Sequence, residues 1–167
     1  MEDLLRAGRI VKDPAFKQAV RVIEEAEKER VYCRHGLEHL MDVARIGCIM
    51  ILENGADIDK DIMYAAALIH DLGRADEYTD GTPHHEAGAR YARQILPGCG
   101  FSEEETEEIA AAVDSHRGDE SSGEISDSGT LAHILYAADK KSRLCFACGA
   151  RDTCKWPEEK MNLELEI

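Results

Sequence analysis

Aromatic residues and long apolar runs are scarce in this chain of 167 residues, and its 20 basic residues are few relative to its 34 acidic ones. Aromatics make up 5% of it while Ala, Glu, Leu and Ile are frequent, which favours helices over a β-sandwich. No apolar run approaches the roughly 20 residues that a transmembrane helix needs. The charged N-terminal sequence MEDLLRAGRIVKD also lacks the apolar segment of a signal peptide. We therefore expect a cytoplasmic protein that is not bound to a membrane.

The scarcity of basic residues leaves a formal net charge of −14. Proteins that bind duplex nucleic acid need a basic face for its phosphates, so such a partner is not expected. A small anionic substrate is compatible with this charge, because bound divalent cations reverse the local field in a pocket. The sequence does not indicate an oligomeric state.

Helical signals recur along the chain and no segment shows the sustained alternation of a strand. We predict an all-α, compact bundle of about six helices, at about 14–29, 35–53, 58–72, 83–96, 103–117 and 128–143. We expect one domain, with residues 1–144 as the helical core and residues 145–167 as a cysteine-containing tail packed on it.

The predicted helix ends depend on capping residues and helix breakers. Asp13 and Pro14 suit the N-cap and first position of the first helix, and Asn54-Gly55 ends the second. Thr82 should cap the fourth helix and Pro97-Gly98 should end it, with Tyr78-Thr79-Asp80-Gly81 as a loop before it. Ser102 and Glu105 form a capping-box pattern for the fifth helix, and residues 118–127 suit a loop.

Histidines at predicted helix ends are the most informative feature. Six of the seven lie there: His35, His39, His70, His84, His85 and His116. His70 follows the apolar run YAAALI and immediately precedes Asp71. Such a polar pair costs several kcal/mol in an apolar setting unless it has partners. A single buried histidine is commonly a core or capping group, so the interpretation depends on the whole set.

The order of these residues is characteristic, as are their local sequences. The sequences are HLMDVAR from His39, ALIHDLGR around His70-Asp71, HHEAGAR from His84, AAVDSHRG around His116 and YAADKKSR around Asp139. Over residues 31–144 the chain resembles the HD-domain superfamily of metal-dependent phosphohydrolases. The family fold is a bundle of α-helices, which agrees with the helices predicted independently.

The resemblance implies two divalent metal ions. A first site would consist of His39, His70, Asp71 and Asp139. His84 and His116 would complete a second site, with Asp71 bridging the two ions. Mixed carboxylate and imidazole ligands favour Fe or Mn, with Zn or Mg as alternatives.

Two neighbouring histidines compete for one ligand position. Spacing to Gly88 matches the family pattern H-x3-G from His84, which makes His84 the preferred ligand. His85 would then pack or contact substrate.

Three further residues are predicted to act on a phosphate. Two cations would activate a water for attack and screen the phosphate oxygens. Arg74, one turn from His70, would stabilise charge on the phosphate, although the family often has Lys there. Lys140 would act similarly, the alternative being a solvated helix lysine. His35, four residues before His39, resembles the general acid of the distantly related cyclic-nucleotide phosphodiesterases, and is a candidate general acid or phosphate contact.

The implied substrate is a small phosphate ester or anhydride, with nucleotides as the leading class. The sequence does not separate a phosphomonoesterase from a phosphodiesterase. A non-catalytic metal or nucleotide sensor would use the same residues. His35-Gly-Leu-Glu-His39 also fits the zinc-peptidase pattern H-x-x-E-H with Glu38 as base, but that pattern leaves His70-Asp71 unexplained.

The tail contains Cys145, Cys148 and Cys154 in the spacing C-x2-C-x5-C. A C-x2-C pair is a usual start of a structural metal site, which needs four ligands, with Cys33 or Cys99 as candidates for the fourth. The alternatives are reduced cysteines that pack the tail, or a redox role. Tyr32, Tyr136 and Trp156 are candidates to line a nucleobase pocket, with core packing the alternative for Tyr136.

Overall fold

Eight α-helices form the described part of the chain, residues 6–115 and 129–165, in this computed structural model. They are α1 (Ala7–Ile10), α2 (Pro14–Ala26), α3 (Leu37–Asn54), α4 (Lys60–Ile69), α5 (Arg74–Asp80), α6 (His84–Cys99), α7 (Glu103–Ser115) and α8 (Leu131–Lys141). Three 3₁₀ turns follow at Cys145–Ala147, Arg151–Thr153 and Glu158–Lys160. These ranges contain no strand, so the all-α prediction is confirmed.

Several helix ends form for the reasons that the sequence indicated. The Asp13 side chain accepts hydrogen bonds from the Ala15 and Phe16 N–H groups at the start of α2. Gly55, with φ at 63°, ends α3 in the left-handed conformation that glycine adopts readily. Ser102 and Glu105 form a reciprocal capping box, in which each backbone N–H donates to the other side chain at 2.8 and 3.1 Å.

The segment around residue 80 differs from the prediction. Tyr78, Thr79 and Asp80 are not a loop but the last residues of α5, which stops at Gly81. Thr82 does not cap α6, because its N–H and hydroxyl both donate to the Asp80 carboxylate. Pro83 is the N-cap and α6 begins at His84.

Pro97 did not stop α6, which continues to Cys99. A proline in the last turn removes a single helical hydrogen bond. The helix ends instead at Gly100, whose φ is 95°. The predicted helix 58–72 is also shorter, since α4 ends at Ile69 and residues 70–73 form a turn.

Helix α4 occupies the centre of the bundle and contacts α1, α3, α6, α7 and α8. Its residues Ile62, Met63 and Ala65 to Ile69 are all buried, so it is apolar on nearly every side. This explains why α4 lies in the core, and it carries the polar pair His70-Asp71 to the middle of the molecule.

Two glycines let α6 approach the turn that contains this pair. A Cβ atom on Gly73 would lie 2.0 Å from the His84 carbonyl oxygen and 2.5 Å from the Gly88 nitrogen. A Cβ on Gly88 would lie 2.8 Å from a methyl carbon of Val113. Backbone therefore packs against backbone here, which brings the start of α6 beside Asp71.

None of the described helices is both long enough and apolar enough to span a membrane. His116 and the loop predicted at 118–127 lie outside the described residues. The division into a core of 1–144 and a tail of 145–167 stays a prediction.

Candidate metal centre

Four side chains from three parts of the bundle converge at the end of α4. Their ligand atoms all lie within 4.8 Å of one another, and they are His39 of α3, His70 and Asp71 after α4, and Asp139 of α8. Nε2 of His39 and of His70 each lie 3.4 Å from Asp71 Oδ2. The same two nitrogens lie 3.5 and 3.9 Å from Asp139 Oδ1. The structure thus brings together all four residues of the predicted first site.

The imidazole of His70 is held in one orientation. Its Nδ1 lies 2.7 Å from the Ala67 carbonyl oxygen and donates to it. Because Nδ1 is engaged by this carbonyl, Nε2 is the ring nitrogen that faces the two carboxylates. Nδ1 of His39 lies 3.4 Å from Ser142 Oγ, on the side away from the cluster. Both imidazoles therefore present Nε2 to a shared centre.

The Asp139 carboxylate of the cluster remains ionised despite its burial. Burial by itself raises the pKa of Asp139, but His70 and Lys140 outweigh it and hold that pKa below its ordinary value. Lys140 Nζ donates to Asp139 Oδ2 at 2.5 Å. The two anionic side chains and two imidazoles form a donor set that suits a divalent transition-metal ion.

Arg74 and His84 lie on the other side of the Asp71 carboxylate. Asp71 Oδ1 accepts a hydrogen bond from Arg74 Nε at 2.8 Å and lies 3.8 Å from His84 Nε2. His84 is buried, and its Nδ1 lies 3.2 Å from the Glu77 carboxylate. The two oxygens of Asp71 thus face different histidines, the arrangement that a bridging carboxylate needs.

His85 points to another partner. Its Nδ1 lies 2.9 Å from Asp114 Oδ1, and the side chain is partly exposed. Of the two competing histidines, the structure places His84 beside Asp71 and pairs His85 with α7.

His35 is not one of the clustered ligands but lies next to them, its ring centroid 5.6 Å from that of His39. Its Nδ1 lies 2.5 Å from Glu27 Oε1, and its backbone N–H donates to Glu27 Oε2 at 2.6 Å. The Tyr78 hydroxyl donates to Glu27 Oε1 at 2.5 Å. The zinc-peptidase pattern needs both of its histidines as ligands, so this geometry does not favour it.

Glu27 is an ionised carboxylate within the fold. Burial raises its pKa, but hydrogen bonds from His35 and Tyr78 outweigh burial and lower it to about 2. Burial and the bond to Glu27 raise the pKa of Tyr78 to about 12, so Tyr78 stays a donor.

A cleft of about 940 Å³ opens beside the cluster, with His35, His39 and Asp139 in its wall. Six basic residues line it: Arg30, Arg34, Arg74, Lys140, Arg143 and Lys155. Five carboxylates line it as well, of which Glu27 and Asp139 are already paired. The cleft is therefore nearly balanced in charge, although the chain carries −14.

The tail supplies an aromatic wall to this cleft. Trp156 lies under three cations, with Arg143 4.2 Å and Lys140 and Lys160 5.9 Å from its ring centroid. Lys140 also lies 4.9 Å from the ring centroid of Tyr136. Tyr136 and Trp156 together line an adjoining pocket of about 480 Å³.

Sequence reasoning missed Glu27, Glu77 and Tyr78. For Glu27 a signal existed, since it continues the buried positions Phe16, Val20 and Ile23 of α2 at helical spacing. Tyr78 was missed because residues 78–81 were predicted to be a loop, and Glu77 lies between that loop and the predicted helix 58–72.

The helical bundle places a cluster of four residues that could hold a metal ion at the end of its central helix. The sequence model of the HD domain family matches residues 36–144, more than half of the chain. This chain belongs to the HD domain family, whose domains bind divalent metal ions.

The chain is also similar in sequence to other bacterial proteins. An uncharacterised protein of Clostridium beijerinckii is 35% identical over 160 residues, which cover 96% of this chain and 98% of that protein. Ribonuclease Y of Acetivibrio thermocellus is 28% identical over 125 residues, 75% of this chain but 21% of that enzyme. The chain thus spans about a fifth of the length of that ribonuclease Y.

One solved structure has a similar fold. It is the crystal structure of a predicted HD superfamily hydrolase from an uncultured Thermotogales bacterium, which aligns with a TM-score of 0.60 and 24% identity. The alignment covers 88% of this chain and 81% of that one.

Proposed function

We propose that this protein is a metal-dependent phosphohydrolase that cleaves a phosphate ester or anhydride of a small molecule, with nucleotides as the leading substrate class. The main support for the proposal is that four side chains converge beside a cleft, namely His39, His70, Asp71 and Asp139. Membership of the HD domain family supports a hydrolytic role.

The chain's own residues fit a divalent metal. The imidazoles of His39 and His70 and the carboxylates of Asp71 and Asp139 would hold it, with Fe or Mn favoured over Zn and Mg. When bound, such an ion supplies Lewis acidity and a water of lowered pKa. The ligands are buried or half-buried, which keeps their charges poorly screened and their positions defined.

Basic residues around the cluster support an anionic substrate. Arg143 and Lys155 line the same cleft as Asp139 and lie in a chain that is otherwise strongly acidic. Arg143 has its guanidinium over the face of Trp156. A nucleotide would place its phosphate near the cluster and these cations, and its base against the aromatic face.

His35 is suited to give a proton to the leaving oxygen. Its Nδ1 is engaged by the ionised Glu27, so Nε2 is the ring nitrogen left to face a substrate. Glu27 is the positioning residue, since it holds both the ring and the backbone of His35.

A second ion would compete with Arg74. Asp71 Oδ1, which faces His84, already accepts a short hydrogen bond from the Arg74 guanidinium. Asp71 and His84, together with His116, would be the residues to hold a second ion, and the Arg74 guanidinium would then be a further positive charge at the same carboxylate oxygen. Arg74 would offer that charge to a substrate phosphate.

The test is turnover across nucleoside mono-, di- and triphosphates, generic phosphate esters and short RNA. Each substrate is assayed with Fe, Mn, Zn and Mg separately. RNA is included because ribonuclease Y is among the relatives. We expect metal-stimulated turnover of a small phosphate compound, and Asp139→Asn should lower it by about 100-fold or more. The matched control is Asp57→Asn, an exposed carboxylate just before α4, which should leave turnover unchanged.

Two results would contradict the proposal. Tight nucleotide binding without turnover under any metal would favour a sensor that uses the same residues. Equal turnover in Asp139→Asn and in Asp57→Asn would show that the cluster is not required for the reaction.

A further inference from the structure

Residues 142–165, most of which belong to the tail, have no hydrophobic core of their own. This stretch is fully described, and every one of its residues is exposed or half-buried. Its large apolar side chains are exposed, namely Leu144, Phe146, Trp156, Leu163 and Leu165. Segments that cannot bury enough apolar surface are usually held by disulfides or by a metal.

Two of the three turns in the tail hold its cysteines. The Cys148 N–H donates to the Cys145 carbonyl oxygen at 3.2 Å, which closes the turn between the C-x2-C cysteines. The Cys154 N–H donates to the Arg151 carbonyl at 3.0 Å, which closes the next turn. All three side chains are half-buried.

The segment before α3 supplies a fourth cysteine. The Tyr32 hydroxyl lies 3.1 Å from the Thr153 carbonyl oxygen and 3.3 Å from Thr153 Oγ1. Tyr32 and Thr153 immediately precede Cys33 and Cys154, so this contact joins the two cysteine segments. Cys33 and Cys154 also line the same cleft.

The thiols are electrostatic neighbours. Burial raises the pKa of Cys33, Arg143 opposes that effect, and Cys145, Cys148 and Cys154 each raise the pKa further. Cys99 has a different environment, because it is buried at the end of α6, where the neighbouring charges are Asp13 and Arg9. Of the two candidates for a fourth ligand, the structure therefore favours Cys33.

We propose that Cys33, Cys145, Cys148 and Cys154 form a tetrathiolate site for a structural zinc ion, separate from the catalytic centre. Four cysteine sulfurs that start with a C-x2-C pair are the usual closed, tetrahedral set for zinc. No three of these sulfurs lie within 4.8 Å of one another in the described structure. Binding must therefore draw the turns together, and it releases the protons of the thiols.

The site would join two walls of the catalytic cleft. Cys33 lies two residues before His35, and Cys154 lies two residues before Trp156. A zinc ion here would fix the aromatic wall relative to the proposed general acid. Its role is positional, since none of the four cysteines belongs to the group of clustered ligands.

Metal analysis of the full-length protein tests this site. The zinc content is measured in an Asp71→Ala, Asp139→Ala background, which removes ligands of the catalytic centre. We expect about one zinc per chain there, and its loss in each of Cys33→Ser, Cys148→Ser and Cys154→Ser. Cys99→Ser is the matched control and should retain the zinc.

A spectroscopic measurement on the unmutated chain covers the case in which a variant fails to fold. Cobalt exchanged into the protein should show thiolate-to-cobalt charge transfer and the intense visible bands of a tetrahedral ion. Removing the ion with a strong chelator should change the fluorescence of Trp156, the single tryptophan. This readout does not depend on turnover, so it separates the zinc site from the proposed hydrolase activity.

Three results would overturn the proposal. The first is an unchanged zinc content in Cys33→Ser and Cys148→Ser. The second is iron with visible absorbance in place of zinc, which would indicate an iron site. The third is a count of four free thiols, instead of six, in the denatured and chelator-treated chain. That count would indicate a disulfide.

Discussion

Replacing Glu27 by alanine should both destabilise the fold and misplace His35. Three donors converge on this one carboxylate, which is 2% exposed. They are the backbone N–H and Nδ1–H of His35 and the hydroxyl of Tyr78. The substitution leaves all three without their acceptor, while the apolar contacts of α2 through Phe16, Val20 and Ile23 remain.

The size of the effect follows from those three bonds. A buried donor that loses its acceptor costs about 1–3 kcal/mol, and more when the lost partner was charged. Glu27 lines the cleft, so water can reach part of the gap. We therefore expect a loss of about 3–6 kcal/mol for Glu27→Ala, and about 2–3 kcal/mol for Glu27→Gln, which keeps one acceptor oxygen. Tyr78→Phe removes a single bond and should cost about 1 kcal/mol.

Urea denaturation followed by circular dichroism measures these changes in the free energy of unfolding. Glu29→Gln, an exposed residue just after α2, is the matched control and should lie within about 0.5 kcal/mol of the unmutated protein. Turnover should fall about tenfold or more in Glu27→Gln, with the substrate KM changed little. A Glu27→Ala protein as stable as the Glu29→Gln control would refute this account of the buried carboxylate.

Two further predictions follow from the same structure. The fold lowers the pKa of Glu27 from 4.5 to about 2, so the ionised side chain stabilises the folded state. This contribution, about 3 kcal/mol, is fully present above pH 4.5 and is lost as the pH falls towards 2. Urea titrations between pH 6 and pH 3 should show about 2 kcal/mol of this loss, and Glu27→Gln should flatten it; equal slopes in both proteins would contradict the assignment. Gly73→Ala should cost about 3 kcal/mol or more in thermal unfolding and lower metal affinity, because its Cβ would meet the backbone of His84 and Gly88. Gly98→Ala, with no atom within 4 Å of the new methyl group, is the control, and an equal effect of both changes would rule out the steric explanation.

The helix ends that depend on neighbouring residues were predicted from the sequence. The Asp13 cap, the Asn54-Gly55 end and the Ser102–Glu105 box depend on residues within a few positions of one another. Helix α5 was missed because its end is set by Gly81 and its residues pack on α2, which is a tertiary contact. Pro97 was misjudged because Gly100, in the left-handed conformation, is the residue at which the helix ends.

The residues at the centre of the site were identified from their order in the chain. His39, His70, Asp71 and Asp139 were predicted together because the resemblance supplied the pairing of distant positions, which local periodicity cannot. The choice between His84 and His85 is different, because adjacent residues of a helix point about 100° apart. Their separate partners, Asp71 and Asp114, became visible only in the folded chain.

The sequence by itself determined the helical class, the apolar helix that ends in His70-Asp71, and the family. Each of these depends on spacing along the chain, which the sequence contains directly. Only the tertiary structure decided that Glu27 and Tyr78 hold His35, and that Cys33 rather than Cys99 lies with the tail cysteines. These contacts join residues that are far apart in sequence, and their formation depends on how the helices and turns pack. The sequence therefore identified the chemical type of each residue, but not the residues that it contacts in the fold.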